Sequence, residues 1–382
     1  MIYLNRIAEA TLRRFLAVFP VVGVTGPRQS GKSTLLQHAL TYYRYVNFDQ
    51  IKNVEYFEAD PDGFIAQYND RVIFDEVQFV PQLFSTIKVA VDQDRQNYGK
   101  FVVTGSSQFS YLKNISESLA GRIGLMSLLP LQYTEMPKAL LEESIYRGAY
   151  PELVTRDYRE SELWYGAYLE TYLNKDVRVL SNIGDMRDFR RFIQLLAAQA
   201  TQLLELSHYA KDLGVSVPTI KRWISILEAS YIIFLLPAYH DNFGKRIIKS
   251  PKLYFYDTGL ISYLVGIKNM ELYDKGPMAG SLFENYVVSE ISKKNSHLAT
   301  HAELFYFRTS DQAEIDLIVD KKDTQDFIEI KKTATFSPRL ITSIKKYCKE
   351  HNKGYLLYNG KKFPHHGNIH IIHYADYLKS DF

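Results

Sequence analysis

The sequence predicts an α/β protein built on a parallel sheet, and three observations carry that reading. Short apolar runs rich in Val, Ile and Phe alternate with helix-like stretches through residues 1–135, the pattern of buried parallel strands covered on both faces. A turn bearing two glycines joins the first run, Val21 to Thr25, to a helix-like segment at Ser33 to Leu40. An α+β pattern returns after about residue 263, with strand-like runs at 313–319, 326–331, 354–358 and 369–373.

Taken in order, the first 135 residues hold expected strands at Val21–Thr25, Tyr45–Phe48, Val72–Phe74 and Phe101–Thr104. Residues 136–205 read as helical. Trp164, Tyr168, Leu169, Tyr172 and Leu173 recur at helical spacing and make one apolar face, and Asp188 to Leu206 repeats the pattern. Residues 206–262 change character. Ser207 is placed to cap a helix running to Leu213, Gly214 to end it, and Ser216 to cap a second helix from about Pro218 to Ala229. A strand pair around Tyr231 to Tyr239 would complete a winged helix. Residues 263–382 hold a helix around Ser281 to Lys293, the late strands, and a helix near 338–350.

At 382 residues the chain has room for two to four domains. Its 46% hydrophobic and 23% charged residues suit a globular protein with sizeable cores. The 29 Tyr and 22 Phe read as packing before base stacking. A net charge of +3 is too small to argue a nucleic-acid partner by itself, so local clusters matter more. Arg339, Lys345, Lys346, Lys349, Lys353, Lys361 and Lys362 gather against Glu350, and Lys245, Arg246, Lys249 and Lys252 form a second group. Each reads equally as a solvated face. Cys348 is the only cysteine, so no internal disulfide forms and a reducing compartment fits. Met1 to Ala10 lacks the apolar run of a signal peptide. The longest apolar stretches, such as Phe15 to Val24, are shorter than the roughly 20 residues of a spanning helix. A cytoplasmic protein without membrane contact is the expectation. His365, His366, His370 and His373 lack regular ligand spacing and read as surface histidines.

The glycine turn is Gly26-Pro27-Arg28-Gln29-Ser30-Gly31-Lys32-Ser33, which matches G-x-x-x-x-G-K-[ST] at every fixed position, with a strand before and a helix after. This is a phosphate-binding loop. Gly26 and Gly31 let the backbone turn its N–H groups onto phosphate oxygens, and the helix adds its positive end. Lys32 is expected on the β- and γ-phosphates and Ser33 on Mg²⁺, with Thr34 next in the binding segment. ATP with Mg²⁺ is therefore the expected cofactor, ATP and ADP the expected ligands. Asp75, at the tip of the apolar run Val72-Ile73-Phe74, is placed to hold Mg²⁺, and Glu76 to polarise the attacking water. Thr104 or Ser106, after another apolar run, would meet the γ-phosphate or the water, since ligands sit beyond strand C-termini in such sheets. Arg122 is either a transition-state cation, in its own or a neighbour's site, or a plain salt-bridge residue.

These residues, with Phe74-Asp75-Glu76-Val77-Gln78, Ala120-Gly121-Arg122, Gly148-Ala149-Tyr150-Pro151-Glu152, Tyr168-Leu169-Glu170-Thr171-Tyr172, Ser250 to Phe255, Asp257-Thr258-Gly259-Leu260, Leu282-Phe283-Glu284-Asn285 and Glu314-Ile315-Asp316, resemble a family of prokaryotic AAA-type ATPases. Such proteins carry a C-terminal domain of unknown function with a restriction-nuclease-like, PD-(D/E)XK, fold. Lys175-Asp176 departs from the Arg-Asp that the resemblance leads one to expect. The resemblance implies a P-loop ATPase domain at 1–135, a helical lid at 136–205, a winged helix at 206–262 and a nuclease-like domain at 263–382.

Ala210 to Ile224 reads as helix-turn-helix, with Ile220, Trp223, Ile224 and Leu227 buried and Lys221 and Arg222 outside as candidate DNA contacts; packing is the other reading. In the late strands, alternation puts Asp316 opposite Ile315, Leu317 and Val319, and puts Glu329 and Lys331 on one face. A hairpin would converge Asp316, Glu329 and Lys331, two carboxylates for a metal and a Lys beside them; Glu284 matches the further acid of some nuclease-like members. The expected function is an ATP-hydrolysing switch acting on DNA or a DNA-bound partner, with homo-oligomerisation open. An ATP-gated nuclease and a non-hydrolysing winged-helix regulator are the alternatives.

Overall fold

A computed structural model describes residues 3–105, 118–172, 186–239, 250–309, 311 and 313–380. Ser106, the Lys175-Asp176 pair, and Lys245, Arg246 and Lys249 lie outside these. The first sheet comprises β1 (Val21–Thr25), β2 (Arg44–Asn47), β3 (Val72–Asp75), β4 (Phe101–Thr104) and β5 (Ile123–Ser127) in the order β2-β3-β4-β1-β5. Every pairing in it is parallel. Alternate residues of β1 feed two cores. Val21 packs with Phe48, Phe64, Phe74 and Val103, whereas Val22 and Val24 pack with Leu35, Val102 and Met126. Burial on both faces is why β1, β3 and β4 read as unbroken apolar runs. β5 escaped the sequence reading because it is an edge strand, broken by Gly124 and half exposed at Leu125.

The middle of the chain supplies helices Leu141–Arg147, Ser161–Tyr172 and Met186–Ala198, then a close pair, Leu206–Leu213 and Val217–Ala229. Gly214 turns between the last two at φ +67°. Ser216 accepts the Thr219 N–H at 3.2 Å, the cap its position suggests. Ser207 does not cap: the first helix of the pair begins at Leu206 with Glu205 before it. The strand partner also differs from expectation. β6 (Ile233–Leu236) pairs antiparallel with β7 (Lys252–Phe255), not with residues near Tyr239.

After helix Ala279–Leu298 comes a second sheet: β8 (Glu303–Arg308), β9 (Glu314–Asp320), β10 (Gln325–Lys331), β11 (Lys353–Tyr358), β12 (Phe363–His366) and β13 (Ile369–His373). Their order is β12-β13-β11-β10-β9-β8. β8, β9 and β10 run antiparallel, while β10, β11 and β13 are parallel. Leu317, Val319, Ile328 and Ile330 pack toward the long helix in a core continuous with the middle helices. Ile315, Ile318 and Phe327 pack on the other face with Ile344 of helix Thr342–Tyr347. Ile315 thus leaves the face of Leu317 and Val319, contrary to simple alternation. The register against β8 shifts between Phe305 and Phe307, and that irregularity absorbs one residue of β9.

Candidate functional site

β1 delivers Thr25, and the chain turns at once. Gly26 has φ +142°, and a Cβ there would come within 2.1 Å of the Leu128 carbonyl oxygen. Glycine is required by both backbone and space. Gln29 takes a left-handed conformation at φ 60° without being glycine, and Gly31 opens helix Lys32–Ala39 at φ +93°. The turn faces an open cavity of about 380 Å³. Arg28, Gln29, Lys32, Ser33 and Thr34 of the loop and its helix line it, with Glu76 and with Tyr168 and Thr171 of helix Ser161–Tyr172. Pro27 and Ser30 are buried behind the loop.

The polar groups in and beside this cavity are already organised. Lys32 Nζ donates to the Gly26 and Pro27 carbonyls at 3.0 and 2.8 Å. Ser33 Oγ donates to Asp75 Oδ2 at 2.7 Å, and the Tyr45 hydroxyl donates to the same oxygen. Burial, then that bond to Asp75, pushes the Tyr45 hydroxyl above its ordinary pKa. Asp75 Oδ1 accepts the Glu76 N–H at 3.0 Å. Glu76 itself sits at φ 55°, a left-handed backbone unusual outside glycine, and Gln78 donates to its carboxylate. Thr104 Oγ1, at the C-terminal end of β4, is fully buried and has no hydrogen-bond partner among the described residues. Hard oxygens from two elements, Ser33 and Asp75, are the donor set that Mg²⁺ takes.

Arg122 lies elsewhere. It precedes β5 and its carbonyl accepts the Val21 N–H, at the start of β1. Counting strand rise, that is roughly 15 Å from the loop, at the opposite edge of the sheet. Its guanidinium forms a two-pronged pair with Asp92 at 2.7 and 2.9 Å. The expectation that Arg122 serves the phosphates of its own chain is therefore corrected: the salt-bridge reading describes it.

Arg6 was not legible as a functional residue. It donates to the Ser30 carbonyl at 2.8 Å and to the Leu129 carbonyl at 2.6 Å, and pairs with Glu135 at 3.1 Å, all buried. It thus holds the back of the loop. Beside it, a small cavity of about 80 Å³ is lined by Tyr3, Leu4, Gly31, Thr34 and Pro151. Nothing local marks these residues; they meet only on folding.

A second polar centre lies in the C-terminal sheet. Lys331 Nζ reaches Asp316 at 3.1 Å and Glu329 at 2.7 Å. The sequence-predicted trio is brought together, with side-chain exposures of 37%, 6% and 12% for Lys331, Asp316 and Glu329. Glu284 joins through the long helix, accepting from Tyr254 at 2.7 Å and Lys252 at 3.3 Å, and Lys252 also pairs with Glu314. Burial, then the charge of Asp316, pushes Glu329 up to about 8 and Glu284 up to about 7. Burial works against the Lys331 ammonium, but Asp316 and Glu329 outweigh it and raise its pKa. Lys252, grouped by sequence with a solvated basic cluster, is buried here instead. Among the described residues no group of three or more His, Cys, Asp and Glu is disposed to hold a metal ion.

Several of the motifs that carry the family resemblance turn out to be joints. Asp257 accepts from the Ala149 N–H at 2.7 Å, Tyr165 at 2.6 Å and the Leu260 N–H at 3.0 Å. Asn285 pairs with both backbone groups of Phe255 at 2.9 Å. Lys221 and Arg222 are exposed on helix Val217–Ala229, while Ile220, Trp223, Ile224 and Leu227 are buried.

Loop, sheet and acidic strand tip together define an AAA-type ATPase domain, and residues 18–137 match the AAA domain profile. Residues 138–271 and 279–377 match two domains of unknown function, DUF8612 and DUF4143. The chain belongs to the family of the uncharacterized protein Rv2008c of Mycobacterium tuberculosis, to which it is 32% identical over 337 residues, covering 88% of this chain and 75% of that one. An uncharacterized protein of Methanocaldococcus jannaschii, MJ1544, is 23% identical over 333 residues, 78% of this chain and 71% of its own. Among solved structures, the Walker-type ATPase of Pyrococcus abyssi aligns with a TM-score of 0.45 at 16% identity, over 69% of this chain and 96% of that one. No described helix is long and apolar enough to cross a membrane.

Proposed function

We propose that the protein hydrolyses ATP with Mg²⁺ and uses the nucleotide cycle to switch the conformation of its C-terminal parts on DNA or a DNA-bound partner. The observation that carries the hydrolytic reading is the Ser33–Asp75 hydrogen bond of 2.7 Å beside a Glu76 fixed by Gln78. Mg²⁺, when bound, supplies charge neutralisation between the terminal phosphates. Ser33 and Asp75 would hold it, and Lys32 would leave its carbonyls for phosphate oxygens. Glu76 would orient and deprotonate water, and the unpartnered Thr104 hydroxyl would find its acceptor there. Helix Ser161–Tyr172 acts as the lid, through Tyr168 and Thr171.

The DNA half rests on the helix pair around Gly214 with the β6–β7 ribbon, a winged-helix arrangement with Lys221 and Arg222 outward. A transition-state role for Arg122 requires a second copy of the chain. ATP turnover measured with and without duplex DNA tests both halves. Mg²⁺-dependent turnover that rises with DNA is expected. Binding without turnover would favour a non-hydrolysing regulator. Changing Lys221 and Arg222 to Ala together should weaken DNA binding and flatten its salt dependence, as fewer counterions are released.

A second reading, metal-dependent cleavage by the C-terminal domain, is favoured by one observation: Asp316 and Glu329 share the Lys331 amine on one strand face. The pair fits a divalent ion only if Lys331 yields its place. Mn²⁺-dependent nicking of DNA lost in Asp316→Ala, with ATP turnover intact, would support it.

A further inference from the structure

A cavity of about 430 Å³ opens in the C-terminal domain at the β9–β10 turn end of the sheet. Phe307, Phe327 and Tyr347 wall it, and Lys322, Lys349 and His351 stand around it. Phe307 and Tyr347 lie 4.8 Å apart at 55°, and neither is fully buried. The exposed Lys322, Lys349 and His351 share the lining with Asp323, Gln325 and Asn352, so cations and polar groups stand beside the aromatic walls. Neither Lys322 nor Lys349 forms an ion pair among the described residues. Lys322 also holds a left-handed backbone at φ 74° without being glycine. Such a conformation costs on the order of 1 kcal/mol and is retained where surrounding structure imposes it. Lys345 and Lys346, exposed on helix Thr342–Tyr347, extend the positive rim, with Lys346 over the Tyr347 ring at 5.0 Å. This is the basic stretch that the sequence left divided between a solvated face and a binding face.

We propose that this cavity takes an unstacked base of a single-stranded polynucleotide, with the flanking phosphates on Lys322 and Lys349. Aromatic walls bind the face of any base, and cations around them track the backbone; together they make a single-strand site with little sequence preference. A duplex base, stacked on both faces, cannot enter without being flipped out. The site is separate from helix Val217–Ala229 and from the Lys331 centre. It rests on the function proposed above only for its class of partner.

Fluorescence anisotropy of the full chain with labelled oligo-dT and oligo-rU, at low and moderate salt, tests it. Tyr347→Ala should weaken binding about tenfold, the loss of one stacking contact, while Tyr347→Phe keeps it. Lys322→Ala with Lys349→Ala should weaken binding by a similar factor and reduce its salt slope by about 1.4, at roughly 0.7 per phosphate contact on a single strand. Preference for dT or rU identifies the natural strand, and either supports the site. Should Tyr347→Ala fail to fold, the lysine pair carries the test from the surface. Wild-type binding that is unchanged in the lysine pair and in folded Tyr347→Ala overturns the cavity and leaves the DNA-partner reading standing. Absence of binding to both oligonucleotides overturns the cavity alone if duplex DNA still binds, and both readings if it does not.

Discussion

The nucleotide loop and the C-terminal acid centre both set a lysine beside acidic side chains, yet they balance charge in opposite ways. At the loop, Lys32 rests on two neutral carbonyls, and Asp75 accepts from the hydroxyls of Ser33 and Tyr45. Charge-assisted bonds to phosphate are roughly twice as strong as neutral ones, so an incoming phosphate outbids those carbonyls for Lys32. In the C-terminal centre, Lys331 already sits between Asp316 and Glu329, and Lys252 between Glu284 and Glu314. A cation entering there must displace an ion pair. The second arrangement balances its charges within the protein.

The long helix Ala279–Leu298 joins the two regions. Glu284 contributes to the acid centre, while His297 accepts the Leu129 N–H at 3.0 Å beside the Arg6–Glu135 pair that backs the loop. Thirteen residues of helix separate these side chains, about 20 Å at 1.5 Å per residue. Both ends are hydrogen-bonded to their surroundings, at Tyr254 and Lys252 and at Leu129.

The largest expected effect breaks the comparison at the loop. Lys32→Ala should abolish ATP binding measured by calorimetry. Glu76→Gln should keep binding and slow turnover on the order of 100-fold or more, because it acts on water and not on the ground-state phosphate. Equal turnover in Glu76→Gln and wild type would remove Glu76 from the mechanism.

Next in size is Gly26→Ala. The added Cβ meets the Leu128 carbonyl oxygen at 2.1 Å, and the φ of +142° disfavours any L side chain. Destabilisation of about 2–4 kcal/mol is expected, with nucleotide binding impaired beyond what the stability loss explains. Chemical denaturation and ATP titration on the same sample measure both; a neutral result would mean that the loop has a second stable path.

Lys331→Gln sharpens the comparison from the other side. Removing the ammonium leaves Asp316 and Glu329 close together without their own cation, and like charges so placed attract a divalent ion or a proton. Mn²⁺ should bind several-fold more tightly than to wild type, with ATP turnover unchanged. If Mn²⁺ affinity does not rise, the acids are not disposed to share an ion.

The smallest effect is a pH dependence at the junction. Burial, then the charges of Arg6 and Lys293, holds His297 well below its ordinary pKa of 6.5. Below about pH 6.5 the unfolded chain binds a proton there that the folded chain refuses, so unfolding takes up a proton and stability falls as pH falls. His297→Gln should flatten the thermal-stability profile between pH 5 and 7. A profile of unchanged slope would place the acid sensitivity at another group.

The nucleotide loop was legible residue by residue because its chemistry is local: eight consecutive positions fix the turn, the amine and the hydroxyl. Strands β1, β3 and β4 were legible for a related reason, since burial on both faces leaves a continuous apolar run. Asp316, Glu329 and Lys331 could be brought together from alternation and an assumed hairpin, although β9 reaches that result through an irregularity that alternation does not foresee. Arg122 was left open between a transition-state cation and a salt-bridge residue by the same locality. Its motif says nothing of which end of β5 it occupies, and parallel pairing with β1 puts it at the far edge.

What the sequence determined by itself was therefore what contiguous backbone carries: a phosphate-loop motif, an acidic strand tip, and a basic pair exposed on a capped helix. What only the tertiary structure decided was everything assembled from distant segments. Arg6 meets Ser30, Leu129 and Glu135; Lys252 leaves an apparent basic cluster for buried acids; Phe307, Phe327 and Tyr347 enclose one cavity. The physical reason is that hydrogen bonds and ion pairs act over a few ångströms of space, whatever the separation along the chain. Periodicity records which face a residue turns inward, but not what it meets there.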